Sequence, residues 1–516
     1  MMASADQLAT QAGMSMFSAG GSGADAAIAA NAVLAVTHPH MCGPGGDLFA
    51  LIHDTATGQV SCLDACGRAG SRADLDRIRA EGHTSMPLTG DLRAATIPGC
   101  VDGWLALHER HGRLPLSDVL APAIRLAGEG FPASPLLALL LSIMTARADG
   151  DLDEVAPVAG QRLRAPALAR TLEAVAGGGR DGFYGGRFGQ ALVAMDGDAT
   201  ADDLTESQAR WVEPISVAVW GHRVWSVPPP SQGYLTLSGA VVASTAGMAP
   251  GQGPDRDDPA WPHLLTEAVT VAARRRLAEL HEGADPARLL DQNRLERLAT
   301  GLGLDGGSGG PAPANRGDTT YLCAVDGDGL GVSLIQSLAG PFGCQLTVPG
   351  TGVWLQNRGI GFSLEPEHPA AYGPGRRPPH TLSPALITGI DGSLRAVLGT
   401  QGGDAQPFVV LQLLARLLVA GQAPGDVLAG PRAVPHRPEG RGFDLWDTTD
   451  DHVLRIEAHA PGGWAAGLEE RGHRVEVAEP SDGVSFGHAH LIERRPDGML
   501  AGAADPRSGV GAAAGR

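Results

Sequence analysis

Two periods of apolar and polar positions alternate along this chain. Helical spacing runs over residues 6–17. An Ala-dense stretch at 23–36 (GADAAIAANAVLAV) is apolar on most faces, which predicts a helix buried against a sheet. Residues 116–130 (LSDVLAPAIRLAGEG) predict an amphipathic helix, with Ser117 or Asp118 suited to its N-terminus. Helical patterns dominate from about 135 to 300, interrupted by alternation at 215–227 (ISVAVWGHRVWSV). Compact apolar runs of strand length occur at 48–53, 60–63, 321–325 and 331–335. The last two flank Asp326-Gly327-Asp328-Gly329, a hairpin turn. A further run at 396–400 reaches the pair Gly402-Gly403 and passes directly into a helical pattern at 407–420. Strand patterns at 453–457 and 473–477 precede a Gly/Ala-rich end from Gly509.

One segment fits neither period. Residues 306–314 (GGSGGPAPA) have the composition of a flexible linker, which we place at about 301–318. Thr319 stands where this linker meets the 321–335 hairpin. A cut before Thr319 would give one residue both a hydroxyl nucleophile and a free amine. An ordinary loop-to-strand junction accounts equally for the residue, since Thr is common in strands.

Composition narrows the chemistry. The chain has 516 residues, 43% hydrophobic, ample for a large core. A formal net charge of −18 argues against nucleic acid and against anionic membranes. There is no Lys, which excludes Schiff-base chemistry, pyridoxal phosphate attachment and a Walker-type phosphate loop. The six Cys form no CxxC pair, so no zinc site is expected, and a reduced, cytoplasmic setting is predicted. No secretory leader pattern and no membrane-spanning run is visible. His38 and His40 read as turn histidines rather than a metal pair. The Arg274-Arg275-Arg276 cluster reads as a solvated helix face rather than an anion site.

Backbone N–H groups at a Gly pair before a helix can form an oxyanion hole. A nucleophile with an oxyanion hole is the minimum for acyl transfer. Thr319 and Gly402-Gly403 supply both candidates; a plain strand-to-helix turn is the alternative for the glycines.

At this point the ordered motifs resemble the γ-glutamyltransferase family of N-terminal-nucleophile hydrolases, over nearly the whole chain. They are GGSGADAAIAANAVLAVTHPHMCGPGGDLFAL at 20–51, IPGCVDGWLALHERHGRLPL at 97–116, APAIRLAGEGFPAS at 121–134, GDTTYLCAVDGDGLGVSLIQSLAGPFG at 317–343, PGTGVWLQNR at 349–358, RPPHTLSPALI at 377–387 and LGTQGGDAQP at 398–407. The resemblance implies an α/β (α+β) chain folded as a four-layer αββα sandwich. It implies a precursor that cuts itself between Asp318 and Thr319 into residues 1–318 and 319–516, which stay together as one interleaved unit. Further dimerisation is left open, and no cofactor or metal is called for.

Carried over by the motifs, Thr319 is the nucleophile, Ser337 the second hydroxyl, and Gly402 and Gly403 the oxyanion hole. His380 and Thr381 match hydroxyl positions that contact the substrate carboxylate, and only Thr381 keeps the hydroxyl. Arg68 is the nearest Arg to the family's carboxylate-binding position, which falls on Cys66 if no gap is opened. Arg358 adds a second cation. Two polar positions for a γ-glutamyl head group are changed: the Asp falls on Gly361 and an Asn on Ala339.

The default substrate class is γ-glutamyl compounds such as glutathione, with water or an amine as acceptor. The LQNRG-GFSL form at 355–364 resembles a divergent branch of oxamate-type amidohydrolases and cephalosporin-acylase-like members. That makes an amidohydrolase of small non-amino dicarboxylic monoamides the alternative. An inactive, uncleaved binding protein is the alternative of another class.

Overall fold

The computed structural model describes residues 1–143, 152–153, 156–300, 302, 318–436, 452–479 and 486–516, with the backbone only at Asp318. The segment read as a linker therefore lies outside the described residues except for Leu302 and the backbone of Asp318.

Two antiparallel sheets lie at the centre. The first has seven strands in the order Ala512–Ala514, Met2–Ser4, Asp318–Val325, Gly331–Ala339, Asp47–Asp54, Gln59–Ala65 and Arg210–Val212. The second has six: Leu500–Ala504, Ala489–Arg494, Leu394–Thr400, Ala385–Gly389, His222–Ser226 and Ile215–Val219. Between them Phe49, Leu51, Tyr321, Cys323, Ile335, Leu386, Val397 and Ile492 form an apolar layer. Strands covered on both faces read as near-continuous apolar runs, which is why 48–52 and 321–325 carry no alternation.

Helices cover both outer faces and complete the four-layer αββα sandwich. Helix Gly23–Thr37 is buried along its whole length and packs on the first sheet, capped by a reciprocal Ser22–Asp25 box. Helices Gly233–Thr245, Ala260–Ala273 and Gln406–Leu418 cover the second. The amphipathic helix spans Leu116–Glu129, but its N-cap is Pro115 and no side chain caps it, so neither Ser117 nor Asp118 has that role. The Ala-rich end forms a strand, Ala512–Ala514, that pairs with Met2–Ser4. Small residues allow that close pairing without signalling it in the sequence.

All six cysteines are free and buried. Among the described residues no helix is long and apolar enough to cross a membrane.

Candidate active site

The site grows from a fault in the central hairpin. Strands Asp318–Val325 and Gly331–Ala339 pair in register from Gly331↔Val325 to Gln336↔Thr320, and then slip, so that Ala339 faces Asp318. This bulge takes Ser337 and Leu338 out of register with the first strand of the hairpin, while Ser337 still pairs with Asp47 on its other side. Ala339 adopts φ 76°, a left-handed conformation that Ala enters at a cost, and its N–H is held by Ser337 Oγ at 2.8 Å. The Thr319 hydroxyl donates to Ser337 Oγ at 3.1 Å. Thr319 is 1% exposed and Ser337 is fully buried.

Arg358 lies behind this pair. It begins a short 3-10 turn, Arg358–Gly361, and is fully buried. One guanidinium nitrogen donates to Thr381 Oγ1 at 3.2 Å and another reaches Ser337 Oγ at 3.5 Å. Burial pulls its pKa down to about 10, against the pull of the Asp47 carboxylate, so it stays a cation at neutral pH.

His380 belongs to a layer further back. Its Nδ1 accepts the Leu382 N–H at 3.2 Å, which leaves Nε2 to carry the proton and donate to Asp47 Oδ2 at 3.1 Å. Burial, reinforced by Arg358, lowers its pKa to about 4, so the Asp47–His380 contact is a hydrogen bond of a neutral imidazole rather than an ion pair. The other Asp47 oxygen accepts the Gly67 N–H at 2.8 Å and the Gln356 amide at 3.0 Å. Asp47, Cys66 and His380 bring their ligand-type atoms within 4.8 Å of one another. That set has metal-binding composition. However, His380 and Asp47 are spent on each other and on backbone N–H groups. Arg358 supplies positive charge beside them, and burial holds the Cys66 thiol well above its usual range, as a protonated thiol.

The Gly402-Gly403 turn joins this network from the second sheet. Gly402 has φ 139° and Gly403 φ 53°, backbone that favours glycine at both positions. No acceptor among the described residues takes either N–H. The Gln232 amide donates to the Gly403 carbonyl at 3.0 Å and to the Thr381 carbonyl at 3.1 Å. Hydrogen bonds thus run from Gly403 through Gln232, Thr381, Arg358 and Ser337 to Thr319.

Seven of the eight positions singled out for catalysis or binding meet in this assembly: Thr319, Ser337, Arg358, His380, Thr381, Gly402 and Gly403. Arg68 does not. Its guanidinium pairs with Glu206 at 2.9 Å, at a site where Glu206 is mostly exposed. Arg68 thus stands outside this network, held by Glu206, while Cys66 turns toward Asp47 and His380. Sequence reasoning missed Asp47, Gln232 and Gln356. A lone Asp after a Gly pair and two Gln in loops carry no pattern of their own, because their partners lie far along the chain.

At position 361 the missing side chain is explained by packing. A Cβ there would lie 2.5 Å from the Pro379 carbonyl oxygen and 3.3 Å from Pro378 Cβ. The space that a carboxylate would need is occupied by the Pro378-Pro379 backbone.

Residues 9–515 match the γ-glutamyltranspeptidase family model. The chain is 36% identical to the oxamate amidohydrolase proenzyme of Klebsiella pneumoniae, over 98% of this chain and 97% of that protein. It is 35% identical to the glutathione hydrolase-like YwrD proenzyme of Bacillus subtilis, over 100% and 98%. The cephalosporin acylase of Bacillus halodurans superposes with a TM-score of 0.87 at 30% identity, covering 99% of this chain and 94% of that one. A bulged hairpin presenting a buried threonine, a glycine turn with free N–H groups and a match along nearly the full length lead to one conclusion: this chain is an enzyme of the γ-glutamyltranspeptidase family, with the fold of the N-terminal-nucleophile hydrolases.

Proposed function

We propose that the protein is an autoprocessed amidohydrolase that cuts itself between Asp318 and Thr319 and then hydrolyses a short, non-amino dicarboxylic monoamide, oxamate being the simplest. In the processing step Thr319 Oγ attacks the Asp318 carbonyl carbon. The C–N bond breaks as the acyl group moves from N to O, and water cleaves the ester. This leaves an Asp318 carboxylate and a free Thr319 amine. An α-amino group titrates at roughly 7.7–8.0 when unperturbed, so it accepts the hydroxyl proton near neutral pH.

In turnover Thr319 Oγ attacks the amide carbon and the oxyanion points to the Gly402 and Gly403 N–H groups. The protonated amine returns its proton to the departing ammonia. Water then attacks the Thr319 ester and releases the dicarboxylate.

The observation that carries the choice of substrate is the position of Arg358. Its guanidinium touches both Ser337 and Thr381, so the cation stands within two contacts of the nucleophile. A carboxylate bonded directly to the reacting carbonyl, or a short chain away, reaches it. A γ-glutamyl group needs in addition an anionic partner for its ammonium, and position 361 has no room for one. The names of two of the similar proteins, oxamate amidohydrolase and cephalosporin acylase, support the same direction. The glutathione reading draws support from the family and from the glutathione hydrolase-like relative.

The test is a direct comparison of oxamate, glutaramate and γ-glutamyl anilide as substrates of the processed protein. Preferred turnover of either non-amino amide supports the proposal. Preferred γ-glutamyl turnover restores the glutathione reading, and a single uncut band without amidase activity supports the inactive alternative.

A further inference from the structure

Away from the nucleophile, a cleft of about 700 Å³ opens among helices Arg276–Glu279, Pro286–Leu289 and Gln292–Ala299. Its wall carries Arg274, Arg275, Arg288, Arg294 and Arg297. The acids beside them are already engaged. Glu279 pairs with Arg294 at 2.6 Å and with Arg275 at 3.3 Å. Asp285 and Asp291 cap their helices, accepting the N–H groups of Ala287 and Arg294. Arg288 and Arg297 are exposed and form no ion pair with any described residue. In a chain of net charge −18, this is a local concentration of cations facing one concavity. Planar guanidinium groups match the oxygens of carboxylates and phosphates.

The wall leads inward to the glycine turn. Arg276, next to Arg275, is buried and donates to Asp404 Oδ1 at 2.5 Å, and Asp404 follows Gly403 directly. Nε and Nη1 of Arg276 have no hydrogen-bond partner among the described residues. A small displacement of Arg274 and Arg275 therefore bears on the Arg276–Asp404 contact beside the Gly402-Gly403 turn.

We propose that this cleft binds a small polyanion bearing two or more carboxylate or phosphate groups, and that its occupancy adjusts the Gly402-Gly403 turn through Arg276 and Asp404. The proposal does not depend on which amide the enzyme cleaves.

The experiment titrates citrate and inorganic pyrophosphate separately into the full-length protein by calorimetry at constant ionic strength, with hydrogen exchange followed over residues 400–406. Arg288→Ala/Arg297→Ala is the comparison variant. Arg297→Glu is a second, and both replace exposed side chains that form no ion pair with any described residue. We expect saturable binding of at least one anion, weakened at least about tenfold in the variants, the equivalent of about 1.4 kcal/mol. Exchange over 400–406 should change on saturation of the wild type and not in the variants. Tighter citrate binding assigns carboxylates as the ligand chemistry, and tighter pyrophosphate binding assigns phosphates. Absence of saturable binding by both anions, binding indifferent to the variants, or binding without a change over 400–406 would overturn the proposal.

Discussion

The Cβ that Gly361 lacks would lie 2.5 Å from the carbonyl oxygen of Pro379. The pocket is therefore closed to an acid at 361 by backbone, which cannot swing aside as a flexible side chain would. Restoring the acid by Gly361→Asp should not create γ-glutamyl activity. It should instead lower the melting temperature and reduce amidase kcat/KM, because the Pro378-Pro379 segment has to move next to Thr381. Steady-state assays with γ-glutamyl anilide and a thermal melt check this, and a gain of γ-glutamyl turnover would contradict it.

Replacing the nucleophile tests the processing chemistry. Thr319→Ala should yield one full-length band on a denaturing gel and no amidase activity. Thr319→Ser should retain cleavage, since the hydroxyl remains while the methyl group that fixes its rotamer is lost. A cleaved Thr319→Ala chain would place the nucleophile elsewhere.

Arg358 should separate binding from processing. Arg358→Lys keeps a charge but loses the planar fork that reaches Thr381 and Ser337 together. A loss of about 10- to 100-fold in kcat/KM is expected, the size of one charged hydrogen bond of about 1.5–3 kcal/mol. Autocleavage at Asp318 should continue, since that step needs no substrate carboxylate. Equal kcat/KM for wild type and Arg358→Lys would remove Arg358 from the substrate site.

Acid stability follows from the buried His380 and the half-buried His473. Burial lowers the pKa of His380 to about 4 and that of His473 to about 4, while unfolded histidine titrates near 6.5. Between those values the unfolded chain takes up protons that the folded chain refuses, so stability falls as pH drops from about 6.5 toward 4 and is flat with respect to these groups above that window. Melting temperatures across pH 4–8 should show this slope. His380→Gln, which keeps a donor for Asp47, should flatten part of it. An unchanged slope in that variant would show that His380 does not contribute.

The sequence made the hairpin, the glycine turn and the outer helices legible because each is a local pattern: apolar runs of fixed length, turn residues, a Gly pair. Thr319, Ser337, Arg358 and Thr381 were found through ordered motifs rather than through chemistry visible in any one stretch. Asp47 stayed hidden because its partners, Gln356 and His380, lie 309 and 333 positions away. Arg68 shows a related effect. Its residue type suits a carboxylate, but the direction of a side chain after a strand end depends on tertiary packing, and here it pairs with Glu206 while Cys66 lies beside Asp47 and His380. Ser117 and Asp118 have good capping chemistry, yet Pro115 is the N-cap and both fall inside the first turn of that helix.

The strand Met2–Ser4 lies between Asp318–Val325 and Ala512–Ala514. On the proposed cut the residues paired with it, Leu322–Ala324 and Ala512–Ala514, would belong to one fragment and Met2–Ser4 to the other, so each fragment would supply strands to a sheet that neither completes alone. Severing the peptide would then release an amine without releasing a partner. The severed link lies at the very end of that strand: only Asp318, which pairs with Ala339, would pass to the other fragment, while the pairings from Thr320 to Val325 would remain, so maturation would be a chemical change made inside a frame that keeps its ladder. Pulling the fragments apart would require melting the sheet that carries the nucleophile, and the covalent history of the molecule could not be rewound by simple reassociation.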